Sequence, residues 1–302
     1  WVEKNTALEN FNRTSGMSTH FVHQPSNVRS IVDTRVQSIA EDHFGDLWVG
    51  FFSSGLDRFD RKTGTFTHYR RDPANPRTLS DDRVYAVLEE NAGTLWVGTY
   101  AGGLNKFDRR SGNFTVYAHN DSIPSSLGGK GVWALCEDRD GSLWVGTYGG
   151  GLDRMDRSTG AFVHFKHDAK DPKSLSDDNV TCLYQDRSGV LWIGTGSGLN
   201  KLDRTSGTFR QYRQKDGLPN DMILGILEDG SGNLWLSTNK GIARLNEKLE
   251  TFRNYEFSDG LQGDEFSQNA YARSPVTGEM YFGGANGFNV FHPDNVKDNP
   301  FI

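Results

Sequence analysis

Leu143-Trp144-Val145-Gly146 is one copy of a phrase that this chain keeps returning to. It stands at Leu47–Gly50 and Leu95–Gly98, and comes back as Leu191-Trp192-Ile193-Gly194 and Leu234-Trp235-Leu236-Ser237. Trp48, Trp96, Trp144 and Trp192 are spaced by 48 residues, and Trp235 follows after 43. Trp1 falls 47 residues before Trp48. Tyr281, in Met280-Tyr281-Phe282-Gly283, falls 46 after Trp235, so both take the same slot. A large aromatic at a fixed period of this length marks a chain built of stacked, self-similar units.

Outward from the phrase, each unit reads as four short strands. An apolar strand precedes it, as in Val84–Leu88, Val132–Cys136, Val180–Tyr184 and Ile223–Leu227. Between the two lie an acidic residue and a glycine, as in Asp138-Arg139-Asp140-Gly141 and Asp186-Arg187-Ser188-Gly189. Asp accepts backbone hydrogen bonds and Gly adopts positive φ without steric cost, so this is a tight hairpin. Leu-Trp-Val-Gly is apolar on both faces, which predicts burial on both. Gly-Leu-x-x-Phe-Asp, as at Gly103–Asp108, makes a third strand. A Thr/Ser-Gly turn leads to a fourth, as at Phe114–Tyr117 and Phe162–Phe165. Helical periodicity is absent.

Four-stranded units of about 40–50 residues with a fixed aromatic predict an all-β, seven-bladed β-propeller of four-stranded antiparallel blades. Six blades is the alternative. The reading is a single domain over 1–302, with complete units at 34–70, 83–117, 131–165, 179–212 and 222–255. Residues 1–25 supply strands two to four of another, and 266–292 strands one to three of a last.

The bulk numbers agree. Among 302 residues there are 35 glycines, apolar residues are 35% and aromatics 12%, as short strands with many turns require. A net charge of −6 without clustered Lys and Arg speaks against a nucleic-acid surface. No apolar run approaches the roughly 18–20 residues of a membrane span. No signal-peptide pattern opens the chain, which begins inside a repeat, so Trp1 is not expected to be a natural start. Cys136 and Cys182 lack any CxxC or zinc spacing and are expected to be buried free thiols. No cofactor is expected.

Val-x-x-Leu-x-Glu-Asp-x-x-Gly-x-Leu-Trp-Val-Gly-Thr followed by Gly-Leu-x-x-Phe-Asp resembles the two-component regulator propeller family, over essentially the whole chain. Asp264-Glu265-Phe266, Tyr281-Phe282-Gly283-Gly284 and Gly287-Phe288-Asn289-Val290-Phe291-His292-Pro293 look like that family's closing blade. The resemblance implies the periplasmic sensor fragment of a bacterial inner-membrane receptor. A histidine kinase or diguanylate cyclase output would follow downstream, and the receptor would be a homodimer. It implies a small molecule or glycan as ligand, no nucleic acid, no membrane contact by this fragment and no enzyme activity in it.

Slots that repeat are framework, and slots that differ between units are candidates for function. The residue before the first strand varies: Arg35, Arg83, Gly131, Asn179, Met222, Glu265. So does the residue one step into it: Gln37, Tyr85, Trp133, Thr181, Leu224, Ser267. Trp133 is the one tryptophan of seven outside the blade slot. It reads either as a platform for a flat ligand or as a filler between inner strands. Phe52, Tyr100 and Tyr148 share a register after the second strand and read as a ligand-facing crescent or as covers for neighbouring loops. Arg35 and Arg83 suit an acidic ligand, or pair with Asp81, Asp82 or Asp178. The ligand-binding candidates are thus Arg35, Arg83, Tyr85, Tyr100, Trp133, Tyr148 and Asn179.

Asp42, Glu90, Asp138, Asp186 and Asp229 recur in the same turn of different blades and read as turn caps, not as one metal site. His20, His68 and His164 repeat in the fourth strand, with His23 and His167 three residues later, so they read as framework. No His–Glu or Ser–His–Asp grouping is visible, and no catalytic residue is assigned. Beside the sensor reading stand a propeller lyase similar to the streptogramin lyases and a protein-interaction scaffold.

Overall fold

A computed structural model describes residues 2–4, 7–12 and 15–296. Trp1, placed in the aromatic slot by its spacing, lies outside the described residues. The chain divides into two compact units, 1–137 with 155–162, and 138–154 with 163–302.

In the first unit β1 (Val2–Lys4), β2 (Ala7–Asn12) and β3 (Met17–Phe21) form a three-stranded sheet. Two four-stranded sheets follow: β4 (Val36–Glu41), β5 (Leu47–Phe51), β6 (Leu56–Asp60) and β7 (Thr65–Tyr69), then β8 (Val84–Glu89), β9 (Leu95–Thr99), β10 (Leu104–Asp108) and β11 (Asn113–Tyr117). β12 (Gly131–Glu137) closes this part of the chain. The second unit opens with β13 (Leu143–Tyr148), and β14 (Leu152–Met155) and β15 (Phe162–Phe165) straddle the division. Next come the sheet of β16 (Val180–Gln185), β17 (Leu191–Thr195), β18 (Gly198–Asp203) and β19 (Thr208–Tyr212), and that of β20 (Ile223–Glu228), β21 (Leu234–Thr238), β22 (Ile242–Asn246) and β23 (Thr251–Tyr255). β24 (Phe266–Arg273), β25 (Met280–Gly284) and β26 (Gly287–Phe291) make a last, three-stranded sheet. This is the all-β propeller architecture of four-stranded antiparallel blades. Six of the sheets lie wholly inside one unit or the other, and the division runs through β12–β15.

Burial of the second strands on both faces holds: β5, β9, β17 and β21 are buried throughout. Under the hairpin that leads into them sits a buried carboxylate, Asp42, Asp138, Asp186 or Asp229, at most 4% exposed. One oxygen accepts turn N–H groups, in Asp42 from Phe44 at 3.0 Å and Asp46 at 2.9 Å. The other accepts the indole N–H of the blade's own tryptophan: Trp48 at 2.9 Å, Trp144 at 2.7 Å, Trp192 at 2.7 Å, Trp235 at 3.0 Å. An arginine from the next blade closes two of these anchors, Arg109 on Asp42 and Arg204 on Asp138, both at 2.9 Å. Burial acts to raise the pKa of Asp42, Asp138 and Asp229, but the hydrogen bonds they accept outweigh it and hold them below the ordinary carboxylate value. The third blade departs from this. Glu90 stands for Asp, Arg157 engages it, and the buried Trp96 Nε1 has no hydrogen-bond partner.

The glycine ending the phrase serves close approach. A Cβ on Gly98 would meet Val132 Cγ1 at 2.5 Å and its carbonyl oxygen at 2.8 Å, because the next inner strand runs directly over it. The residue opposite it on the first strand is small: Ser38 across from Gly50, Ala86 from Gly98, Cys182 from Gly194. One blade reverses the pair, with Gly225 opposite Ser237, and the ring of Tyr271 packs over Gly225.

A second buried slot ties down the segment that leads into each blade. Val32 N–H donates to Asp57 Oδ2 at 2.9 Å, Ser80 N–H to Asn105 at 3.0 Å, and Ser176 N–H to Asn200 at 2.9 Å. Where this slot is acidic, a histidine of the fourth strand pairs with it: His20 with Glu9 at 2.9 Å, His68 with Asp57 and His164 with Asp153 at 2.6 Å. His43 pairs with Glu89 at 2.7 Å. The sequence reading saw no His–Glu grouping; the pairs at 20, 68 and 164 join neighbouring strands, His43 meets a carboxylate of the following sheet, and His119 and His292 add local contacts to Asp121 and Asp294. Repetition marks the pairs at 20, 68 and 164 as framework. Burial pushes the Asp57 carboxyl up to about 6, against hydrogen bonds from His68 and Val32 that act to lower it. Neither cysteine is in a disulfide; Cys182 is buried, and burial pushes its thiol up to about 12, whereas Cys136 is only half-buried.

Three outcomes follow from this framework. Trp144→Phe is expected to lose about 1–2 kcal/mol more than Trp96→Phe, since only Trp144 gives up an indole hydrogen bond; chemical denaturation of both variants measures the difference. Gly98→Ala is expected to destabilise by about 1–3 kcal/mol through overpacking, read as a lowered denaturation midpoint at unchanged slope. Asp57, whose carboxyl is raised on folding, stabilises fully below its unfolded value and loses that contribution as pH rises through about 6. Asp57→Asn, the residue type standing at 105 and 200, should therefore flatten the fall in melting temperature between about pH 4 and about pH 6.5.

Candidate ligand-binding site

Asp33-Thr34-Arg35, Asp81-Asp82-Arg83 and Asp177-Asp178-Asn179 enter their blades with an acid two residues before the variable position. That acid shapes the turn. Asp33 Oδ1 accepts the N–H of Thr34 at 2.7 Å, Asp81 Oδ1 that of Arg83 at 3.0 Å, and Asp177 Oδ1 that of Asn179 at 2.7 Å. The same acids hold the side chains that follow. Arg35 donates to Asp33 at 3.2 Å and to Ser53 Oγ at 2.7 Å. Arg83 grips Asp81 with Nε at 3.0 Å and Nη2 at 2.7 Å. The arginines thus pair with acids of their own turns; Asp82 instead accepts the N–H of Arg71 at 2.7 Å. Asp33 is half-buried, which raises its pKa, yet bonds from Ser54 and Arg35 carry it down to about 2.

In the first unit these arginines lie against the aromatics of the loop after the second strand. Arg83 sits 4.4 Å from the ring centre of Tyr100, and Arg35 5.8 Å from that of Phe52. The array continues inward from Tyr100. Tyr85 on β8 is 5.6 Å from Tyr100, and Trp133 on β12 stacks on Tyr85 at 5.8 Å with 12° between the rings. Arg83, Tyr100, Tyr85 and Trp133 therefore form one run, with Tyr100 exposed at 37% and Tyr85 and Trp133 half-buried. Burial raises the Tyr85 pKa, so its hydroxyl stays protonated at neutral pH.

The second unit holds the other two candidates. Tyr148 is 49% exposed at the end of β13. Asn179 accepts the N–H of Gly149 at 3.1 Å and donates to Asp177 at 2.9 Å, so it positions the loop that begins at Tyr148. Asn179 is thus a support for this loop. The sequence reading named Asp81 as a partner for these arginines and missed Asp33 and Asp177; their signal was the Asp-x-Arg/Asn spacing. Among the described residues no group of His, Cys, Asp and Glu is placed to hold a metal ion. A groove of about 490 Å³ in the second unit is lined by Lys201, Phe209, Arg210 and Glu250, none of them a candidate from the sequence. Two of its cations are engaged, Lys201 by Glu247 at 2.6 Å and Arg210 by Glu250. No helix among the described residues is long and apolar enough to cross a membrane.

The fold has solved counterparts. The extracellular domain of the hybrid two component system BT3049 from B. thetaiotaomicron matches with a TM-score of 0.78 at 23% identity, over 95% of this chain and 37% of that one. PorZ, a surface component of the type-IX secretion system of Porphyromonas gingivalis, matches with a TM-score of 0.67 at 17% identity, over 92% of this chain and 42% of its own. Virginiamycin B lyase from Staphylococcus aureus matches with a TM-score of 0.67 at 17% identity, over 95% of this chain and 87% of its own. At these identities the likeness is one of fold, and the chain spans less than half the length of the first two. No curated protein matches it in sequence. The profile described as "Two component regulator propeller" matches residues 30–53, 78–101, 126–149, 174–197 and 217–240. With five of its repeats so matched, the chain belongs to the two component regulator propeller family.

Proposed function

We propose that this chain is the ligand-sensing propeller of a bacterial two-component or cyclic-di-GMP receptor, lying outside the cytoplasm. The family and the likeness to an extracellular domain of a hybrid two component system support that setting. The run Arg83–Tyr100–Tyr85–Trp133 supports ligand binding at this place. It is built from slots that differ between blades, and it offers aromatic faces beside a phenolic hydroxyl. Aromatic faces stack on the apolar side of a sugar or another flat molecule, and a few polar groups orient it. Arg83 is neutralised by Asp81, so the rings carry the recognition and charge has the smaller share. The ligand is a small molecule or a glycan.

A lyase reading draws on the fold shared with virginiamycin B lyase. Against it, the histidines at 20, 43, 68 and 164 are each bound to a framework carboxylate, and those at 23, 119 and 167 to main-chain carbonyls.

Thermal-shift screening against oligosaccharides, peptides and small acids, followed by titration calorimetry of any hit, tests the proposal. Tyr85→Ala and Trp133→Ala are each expected to weaken binding at least about tenfold. A ligand bound equally well by both variants would move the site elsewhere. No ligand at all, together with hydrolysis or elimination of a cyclic depsipeptide, would favour the lyase.

A further inference from the structure

The first strands β4, β8, β16 and β20 each carry one extra residue at the slot that varies between blades. Val36 pairs with Phe51 and Ser38 with Gly50, which makes Gln37 an addition to the ladder. Tyr85, Thr181 and Leu224 stand in the same way. β24 carries a longer insertion. Phe266 pairs with Gly284 and Tyr271 with Phe282, so residues 267–270 stand opposite Gly283 alone. A bulge bends its strand and re-aims the side chains on it. Asn269, at φ 60, adopts the left-handed conformation, which costs every residue but Gly something and Asn comparatively little.

The bend carries Gln268 past β20, which packs between β16 and β24. The Gln268 amide donates to the Thr181 carbonyl oxygen on β16 at 3.0 Å, across 87 residues of chain. Thr181 in turn donates its hydroxyl to the Ile223 carbonyl of β20. Both roots of the insertion are fixed. Phe266 is buried, and the ring of Tyr271 lies over Gly225, in the blade where glycine and serine have exchanged places. Burial follows the crossing. In the first unit the variable slot holds Tyr85 and Trp133, both half-buried. In the second it holds Thr181 and Leu224, exposed by only 3% and 6%.

We propose that residues 267–270 are a latch over β20. The Gln268–Thr181 bond holds it closed, and its release uncovers Thr181 and Leu224. The backbone cost at Asn269 opposes the tie, which is what an element with two positions needs. The latch governs access to two of the slots that differ between blades. This inference stands on the geometry of β16, β20 and β24 and does not depend on the sensor reading.

The test places a thiol under the latch. In the full chain carrying Cys136→Ser, Leu224→Cys is labelled with a water-soluble disulfide reagent, and the same chain keeping Leu224 gives the background from Cys182. Gln268→Glu, whose carboxylate cannot donate to the Thr181 carbonyl, is expected to speed labelling about tenfold. Asn269→Val, which puts a β-branched side chain at positive φ, is expected to speed it as well. The rate is expected to be independent of urea below the unfolding transition, as local opening is. If Leu224→Cys does not fold, mass-spectrometric exchange of the main-chain amides of 267–271, with and without Gln268→Glu, makes the same comparison. Equal rates with and without Gln268→Glu overturn the proposal. So do rates that climb with urea as global unfolding does.

Discussion

A carboxylate buried under a hairpin and bonded to a tryptophan six residues away carries much of this structure. Asp42, Asp138, Asp186 and Asp229 each close their own turn with one oxygen and orient the blade's indole with the other. A buried charge is costly unless every lone pair is used, and here turn, indole and in two cases a neighbouring arginine use them. The fixed indole then sets where other rings lie. Tyr69 stacks on Trp48 at 5.6 Å, and Phe107 of the next blade meets it edge-on at 5.2 Å. One polar contact thus determines hairpin geometry, ring orientation and packing between neighbours.

Such a framework leaves few positions free to vary. The Gly in Leu-Trp-Val-Gly cannot grow, because Val84, Val132 or Ile223 of the following inner strand lies against it. The Asp57, Asn105 and Asn200 slot is committed to holding incoming chain. Freedom remains at the entry to the first strand and in the loop after the second, where Arg83, Tyr85, Tyr100 and Trp133 meet. That separation of rigid repeat from variable rim is how a repeated scaffold presents one particular surface.

The strand order and burial were legible because they rest on a period, and Leu-Trp-Val-Gly is read the same way in any context. The turn aspartates were recognised as caps from their Gly neighbours, but their bond to tryptophan was not, since strand register alone brings the two together. The same holds for His68 with Asp57, 11 residues apart along the chain, whereas His43 reaches Glu89 of the following sheet, 46 residues on. Trp133 stood out as the tryptophan off the slot, yet its stacking on Tyr85 depends on how neighbouring inner strands approach. The pairing of Arg83 with Asp81 was among the sequence readings, and that of Arg35 with Asp33 was within reach through the same Asp-x-Arg turn.

The central claim is that the anchors are formed and buried in solution. Exchange of the indole N–H protons, followed by nitrogen-15 NMR, tests it most directly. The account predicts that the indoles of Trp48, Trp144, Trp192 and Trp235 exchange only on unfolding of the sheets that hold them, and lose this protection on substitution of their own aspartate by Ala. Exchange of these four at the rate of a solvent-exposed indole in the native protein would contradict it.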